Sequence, residues 1–144
     1  RHRRERPDRW RTVEAPIGVG KALRGEVRDA EVVLIDCLSF LVANVMGEDI
    51  EDAAALEARL DAEIDALLAA YEEGTATFIV VSNEVGMGVV PAYASGRLFR
   101  DLLGRANQKL ARAAGRVYWM VSGLAVEVKK SGLSENWENV RGSA

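Results

Sequence analysis

Three short runs of continuous apolar, largely β-branched residues constrain this chain more than any other feature: Glu31-Val32-Val33-Leu34-Ile35-Asp36-Cys37-Leu38, Ala76 to Ser82, and Arg116 to Ser122. None alternates with polar residues, so each predicts a strand covered on both faces, as in a parallel sheet. Between the runs, Leu56, Leu60, Ile64, Leu67, Leu68 and Tyr71 recur three and four apart, predicting an amphipathic helix closed by Gly74. Leu98, Phe99, Leu102, Leu103, Ala106 and Leu110 predict a second helix that stops before Gly115. Strands alternating with helices of this length build an α/β sheet through right-handed crossovers. A short helix is expected around Val19 to Leu23, among turns marked by Pro16, Gly18, Gly20 and Gly25.

Composition narrows the class of partner. With 49% apolar and 28% charged residues over 144 positions, one soluble domain can form, burying about two thirds of its unfolded surface. A formal charge of −3 argues against wrapping nucleic acid through an overall basic surface, so any anion must be bound locally. The single cysteine, Cys37, lies in an apolar run and reads as a small core residue in a reducing setting. The apolar stretches fall well short of the roughly 18 residues that span a bilayer, no signal-peptide pattern opens the chain, and a cytoplasmic location is expected. The chain begins at Arg1 inside a dense basic segment and reads as part of a longer frame.

In an open parallel sheet, ligands sit outside the carboxyl ends of the strands, so the residues after each run are the candidates. They are Asp36-Cys37-Leu38, Ser82-Asn83-Glu84-Val85-Gly86-Met87-Gly88, and Ser122-Gly123-Leu124, all expected along one edge. A strand-terminal Asp36 has the form of a residue that holds magnesium through water, and equally that of a helix cap. Asn83 and Glu84 ahead of Gly86 and Gly88 read either as a ligand contact, since glycine lets backbone approach closely, or as a turn whose polar groups satisfy local amides. Gly18-Val19-Gly20-Lys21 imitates a phosphate-binding loop, but Ala15 and Ala22 stand where that motif needs Gly and Ser or Thr. Nine carboxylates between Asp49 and Glu73, with Arg59 as the one basic residue among them, read as a solvated helix face.

Residues 1 to 12 carry Arg1, Arg3, Arg4, Arg6, Arg9 and Arg11 around His2 and Trp10. His2 is the one histidine of the chain, and its electropositive surroundings favour the neutral, nucleophilic imidazole and attract phosphate. The plain alternative is a solvated terminal histidine. A basic arm for single-stranded nucleic acid, with Trp10 stacking on a base, is disfavoured by the acidic remainder.

Taken together, His2-Arg3-Arg4-Glu5-Arg6-Pro7, Trp10-Arg11-Thr12-Val13-Glu14, Val33 to Leu38 with Asn44, and above all Val81-Ser82-Asn83-Glu84-Val85-Gly86-Met87-Gly88-Val89-Val90-Pro91 resemble the bifunctional adenosylcobinamide kinase and adenosylcobinamide-phosphate guanylyltransferase family. The likeness continues through Arg97, Phe99-Arg100-Asp101, Gly104-Arg105, Asn107-Gln108 and Val121 to Leu124, with Ala125 where the family usually has Pro.

The resemblance implies a P-loop NTPase fold of RecA-like type, a mostly parallel sheet flanked by helices. Residues 1–130 would form the central and C-terminal part of one nucleotide-binding domain, and 131–144 a polar tail. The family's first strand and Gly-Lys-Ser loop have no counterpart here, and removing that strand would expose two strand edges. It also implies phosphorylation of adenosylcobinamide and transfer of GMP from GTP through a guanylylated histidine, mapping onto His2. Arg3, Arg4, Glu5, Arg6, Glu14 and Asp36 would contact the nucleotide, Asn83 and Glu84 the substrate or phosphate, and Asp36 a magnesium ion through water. Mg2+, GTP, ATP, adenosylcobinamide and a homotrimeric assembly follow from the same likeness. The competing class is a truncated, non-catalytic nucleotide-binding module of the same fold.

Overall fold

The computed structural model describes residues 6–27, 29–47 and 52–129. In chain order the elements are α1 (Val19–Glu26), β1 (Val32–Asp36), α2 (Leu38–Met46), α3 (Ala53–Glu73), β2 (Thr77–Val81), α4 (Ala94–Ala113), β3 (Val117–Val121) and β4 (Leu124–Lys129). The expected α/β alternation is present. β1 and β2 pair in parallel from Val32↔Thr77 to Asp36↔Val81, so both strands end at the same level.

Three expectations are corrected. The third apolar run does not join the parallel sheet: β3 pairs antiparallel with β4 in a separate two-stranded sheet. Ser122 and Gly123 connect them, both at positive φ (51° and 78°), as two-residue hairpin turns of the primed type require. That segment is therefore a hairpin turn rather than a third strand end at the ligand edge. The strands are also not covered on both faces among the described residues. Val33 is buried and Ile35, Phe78 and Val80 are half-buried against helices, while Val32, Leu34, Ile79 and Val81 on the other face are exposed. Finally, the first strand ends at Asp36 as expected, but Cys37 is not a buried core residue. Half-buried Cys37 takes extended backbone as the N-cap of α2, and Leu38 begins that helix.

The core is a helical layer on the inner face of β1 and β2. Leu38, Leu41, Val42 and Val45 of α2 meet Leu56, Leu60 and Ile64 of α3 and Leu102, Leu103 and Ala106 of α4. Each such fully buried side chain contributes about 1.5–3 kcal/mol relative to exposure. A second cluster joins Leu23 of α1 and Val33 of β1 to Leu67 and Ala70 of α3. Asp52 caps α3 by accepting from the amides of Ala54 and Ala55 at 2.9 and 3.2 Å, and the helix ends at Gly74.

The acidic side of α3 is not simply solvated. The Glu63 carboxylate accepts the amides of Gly18 (2.9 and 3.0 Å) and Val19 (3.3 Å) at the start of α1, and Glu73 pairs with Arg24 at 2.7 Å. Toward α4, Glu57 pairs with Arg105, while Asp61 and Asp65 pair with Lys109 at 3.3 and 2.8 Å. Hydrogen bonding to Asp65 holds the Lys109 ammonium above its ordinary range. The hairpin in turn docks on α4, with Lys129 Nζ donating to the terminal carbonyls of Ala111 and Arg112 at 2.7 and 2.8 Å. Among the described residues no helix is long and apolar enough to cross a membrane.

Gly20 packs directly on α3. A Cβ there would lie 2.4 Å from the Ala66 carbonyl carbon and oxygen, which are backbone and cannot swing aside. Gly20→Ala is expected to destabilise the fold by about 1–3 kcal/mol, read from denaturant midpoints at unchanged slope.

Candidate functional site

Parallel, in-register pairing brings the exits of β1 and β2 together. Asp36 and Val81 are register partners, so Asp36 and the segment from Ser82 onward leave the sheet side by side. Two of the three expected clusters thus share an edge, and the third does not.

Asp36 is exposed. It caps nothing: the N-cap of α2 is Cys37, and no side chain bonds the amides at that helix start. The helix-cap reading is removed, leaving an accessible carboxylate at a strand end. No group of three His, Cys, Asp or Glu side chains among the described residues could by itself hold a metal ion. A lone exposed carboxylate still suits magnesium, which keeps most of its waters and arrives with phosphate oxygens.

Beyond β2, the chain turns under local polar control. Glu84 is exposed and its Oε1 accepts the Gly86 amide at 2.6 Å. A Cβ on Gly86 would stand 2.8 Å from that oxygen, the free end of a side chain that can move aside at the cost of this bond. The Gly88 amide returns to the Val85 carbonyl at 3.4 Å. Farther along, Arg97 of α4 donates to the carbonyls of Pro91 and Ala92 at 3.0 and 2.7 Å.

Asn83 is exposed, but its Nδ2 donates to Ser39 Oγ at 2.9 Å. Its carbonyl accepts Asn107 Nδ2 at 3.1 Å, and Asn107 Oδ1 accepts the Ser82 hydroxyl at 2.5 Å. Strand-end reasoning passed over Ser39 and Asn107 as site residues. The available signal was a polar amide set into the apolar stripe Leu103, Ala106, Leu110.

Of the basic segment, His2, Arg3, Arg4 and Glu5 lie outside the described residues. Arg6 is half-buried and donates to Thr12 Oγ1 at 3.0 Å, and the Trp10 amide closes a turn onto the Pro7 carbonyl at 2.9 Å. Arg11 bridges to Asp29 at 2.7 Å, and Asn44 of α2 donates to the Pro16 carbonyl at 3.0 Å. The segment is thereby fastened to the loop before β1 and to α2. Glu14 is exposed beside it.

The rejected loop imitation is confirmed as structural: Gly18 is the N-cap of α1 at φ +70°, and Glu63 already occupies its amides. A cleft of about 400 Å³ there, bordered by Lys21, Arg24 and Arg59, and another of about 390 Å³ bordered by Thr75, Ala76 and Phe78, both leave out Asp36 and Glu84. The candidate site is an open sheet edge.

Residues 1–128 match the family described as cobinamide kinase / cobinamide phosphate guanyltransferase. Similar proteins include the bifunctional adenosylcobalamin biosynthesis protein CobU of Escherichia coli K12, 40% identical over 135 residues that cover 89% of this chain and 75% of the relative. CobU of Salmonella typhimurium LT2 is 39% identical over 135 residues with the same coverage. CobP of Pseudomonas aeruginosa PAO1 is 37% identical over 128 residues, covering 89% of this chain and 70% of that protein.

The exposed Arg11–Asp29 pair gives the basic segment a titratable tether. Hydrogen bonding from Arg11 holds the Asp29 carboxyl below its ordinary range, so the tether is complete at neutral pH and is lost as pH falls through the folded-state pKa. Asp29→Asn is expected to speed tryptic cleavage after Arg11 severalfold at neutral pH. In the wild type, the Arg11 guanidinium NMR signals should keep their hydrogen-bonded shift through the ordinary carboxylate range and lose it only on acidification below that range.

Proposed function

The chain belongs to the cobinamide kinase / cobinamide phosphate guanyltransferase family, a family of bifunctional enzymes, and from that premise we propose its reaction and the residues that carry it. It phosphorylates the hydroxyl of adenosylcobinamide from a nucleoside triphosphate, then transfers GMP from GTP to that phosphate, giving adenosylcobinamide-GDP. The observation that carries this reading is the family match through residues 1–128, which spans both the His2-Arg3-Arg4-Glu5-Arg6-Pro7 segment and the paired strand ends.

His2 is the nucleophile. Its neutral ring nitrogen attacks the α-phosphorus of GTP, forming an N–P bond as the bond to the β-phosphate oxygen breaks and pyrophosphate leaves. A phosphate oxygen of cobinamide phosphate then attacks the same phosphorus, the N–P bond breaks, and the imidazole returns to its starting state. Arg3, Arg4 and Arg6 neutralise charge on the phosphoryl oxygens, with Glu5 and Glu14 orienting the nucleotide. Asp36 fits the role of a carboxylate that holds magnesium through water, and magnesium, when bound with the nucleotide, offsets triphosphate charge. Asn83 and Glu84 contact the substrate or its phosphate from the neighbouring strand end.

The RecA-like form of the fold, with a further strand and a phosphate-cradling loop, finds support in the open architecture. Among the described residues, β1 and β2 each pair along one edge only, and the outer face of β1 and β2 is apolar and exposed. A strand added along the free edge of β1 or β2 would extend the sheet and bring its loop to the Asp36 end, and a further helix could cover the outer face. The same exposed apolar surface supports a homo-oligomer, trimeric by family likeness.

Incubation with GTP and magnesium should add the mass of one guanylyl group, and His2→Ala should abolish the gain. A gain seen only when the family's loop-bearing segment precedes the chain would retain the assignment and show that loop to be required. Absence of a gain in both forms would favour the non-catalytic nucleotide-binding module.

A further inference from the structure

Asn107 stands outside the strand-end residues, yet it fastens them. It is half-buried on α4, flanked on the helix's inward side by buried Leu103 and Ala106. Both halves of its amide are engaged: Nδ2 donates to the Asn83 carbonyl at 3.1 Å and Oδ1 accepts the Ser82 hydroxyl at 2.5 Å. The run continues through Asn83 Nδ2 to Ser39 Oγ at 2.9 Å, on a side chain only 8% exposed and three residues beyond Asp36. A continuous polar chain thus crosses from α4, through the exit of β2, to the first turn of α2.

We infer that Asn107 is a positioning residue that sets where Glu84 stands relative to Asp36. The amide cannot rotate without breaking two hydrogen bonds at once, and those bonds grip the two residues immediately before Glu84. Among the described residues Glu84 has no comparable anchor of its own, since its bond runs within its own loop to Gly86, and Arg97 secures the loop at Pro91 and Ala92. The Asn83 side chain carries the constraint on to Ser39 beside the β1 exit, so the two amides in series couple both strand ends. The inference rests on the proposed reading for its catalytic consequence, and on hydrogen-bond geometry alone for the placement of Glu84.

The test separates those two parts. In the 15N-labelled chain, the Gly86 amide, bonded to the Glu84 carboxylate, reports the loop directly. Asn107→Ala should displace the Gly86 and Glu84 signals while leaving core amides such as Ile64 in place. Asn107→Asp keeps an acceptor for Ser82 but, ionised at neutral pH, offers no donor to Asn83, and should displace the same signals. Ser82→Ala should give a smaller displacement. Where the wild type transfers GMP, both Asn107 variants should lower kcat by roughly ten- to a hundredfold with KM for GTP little changed, the scale expected of a misplaced group. Unmoved Gly86 and Glu84 signals in Asn107→Ala would overturn the inference. So would activity falling only in step with the unfolded fraction. Absence of GMP transfer both in this chain and in the form preceded by the family's loop-bearing segment would defeat the functional reading, and the amide signals would then decide the placement of Glu84 alone.

Discussion

Everything at the candidate site depends on the register between β1 and β2. Parallel strands paired from Val32↔Thr77 to Asp36↔Val81 must deliver their chains to the same edge at the same height. A slip of one residue would turn Val33 and Phe78 out of the core and send Val32 or Ile79 into it. The two small core clusters lock that register, because Val33 and Phe78 pack beside Leu23, Leu67 and Ala70 while Val80 packs near Ile64 and Leu103. The chemistry-bearing edge is therefore a product of hydrophobic burial two to three residues upstream of it.

The second organising element is α3, which works on both flanks. Its apolar stripe fills the core, while Glu63 and Glu73 hold α1 and Glu57, Asp61 and Asp65 hold α4. Exposed ion pairs contribute about 0–1 kcal/mol each, so their effect is more directional than energetic. Glu63 differs, because its carboxylate satisfies amides at a helix start that would otherwise lack partners.

How much of this could be read in the sequence follows from which interactions are local. The runs at 32–36, 77–81 and 117–121 became strands, and the stripes from Leu56 and Leu98 became α3 and α4, because periodicity and Gly74 are local signals. α2 was not legible: Leu38-Ser-Phe-Leu-Val-Ala-Asn-Val-Met continues the apolar character of β1, and an unbroken apolar run does not distinguish strand from buried helix. The third run misled for a related reason, since β-branched and aromatic residues suit an exposed hairpin as well as a central strand. At the site, Asp36 with Asn83 and Glu84 was foreseeable from the strand-end rule. Ser39 and Asn107 were not, because their bonds span 44 and 24 residues and exist only once the helices have packed. The α3 carboxylates form a largely exposed face as read, but their ion pairs were hidden for the same reason, the cationic partners lying on other helices.

The β3–β4 hairpin carries a consequence of a different kind. It forms its own sheet, exposes Tyr118, Met120, Leu124 and Val128, and is tied to α4 by Lys129 at the last carbonyls of that helix. Among the described residues the hairpin adds no side chain to the buried core clusters, so local opening of the hairpin is expected to cost less than opening of the helical core. α4 is then the member through which the hairpin and the helical core meet.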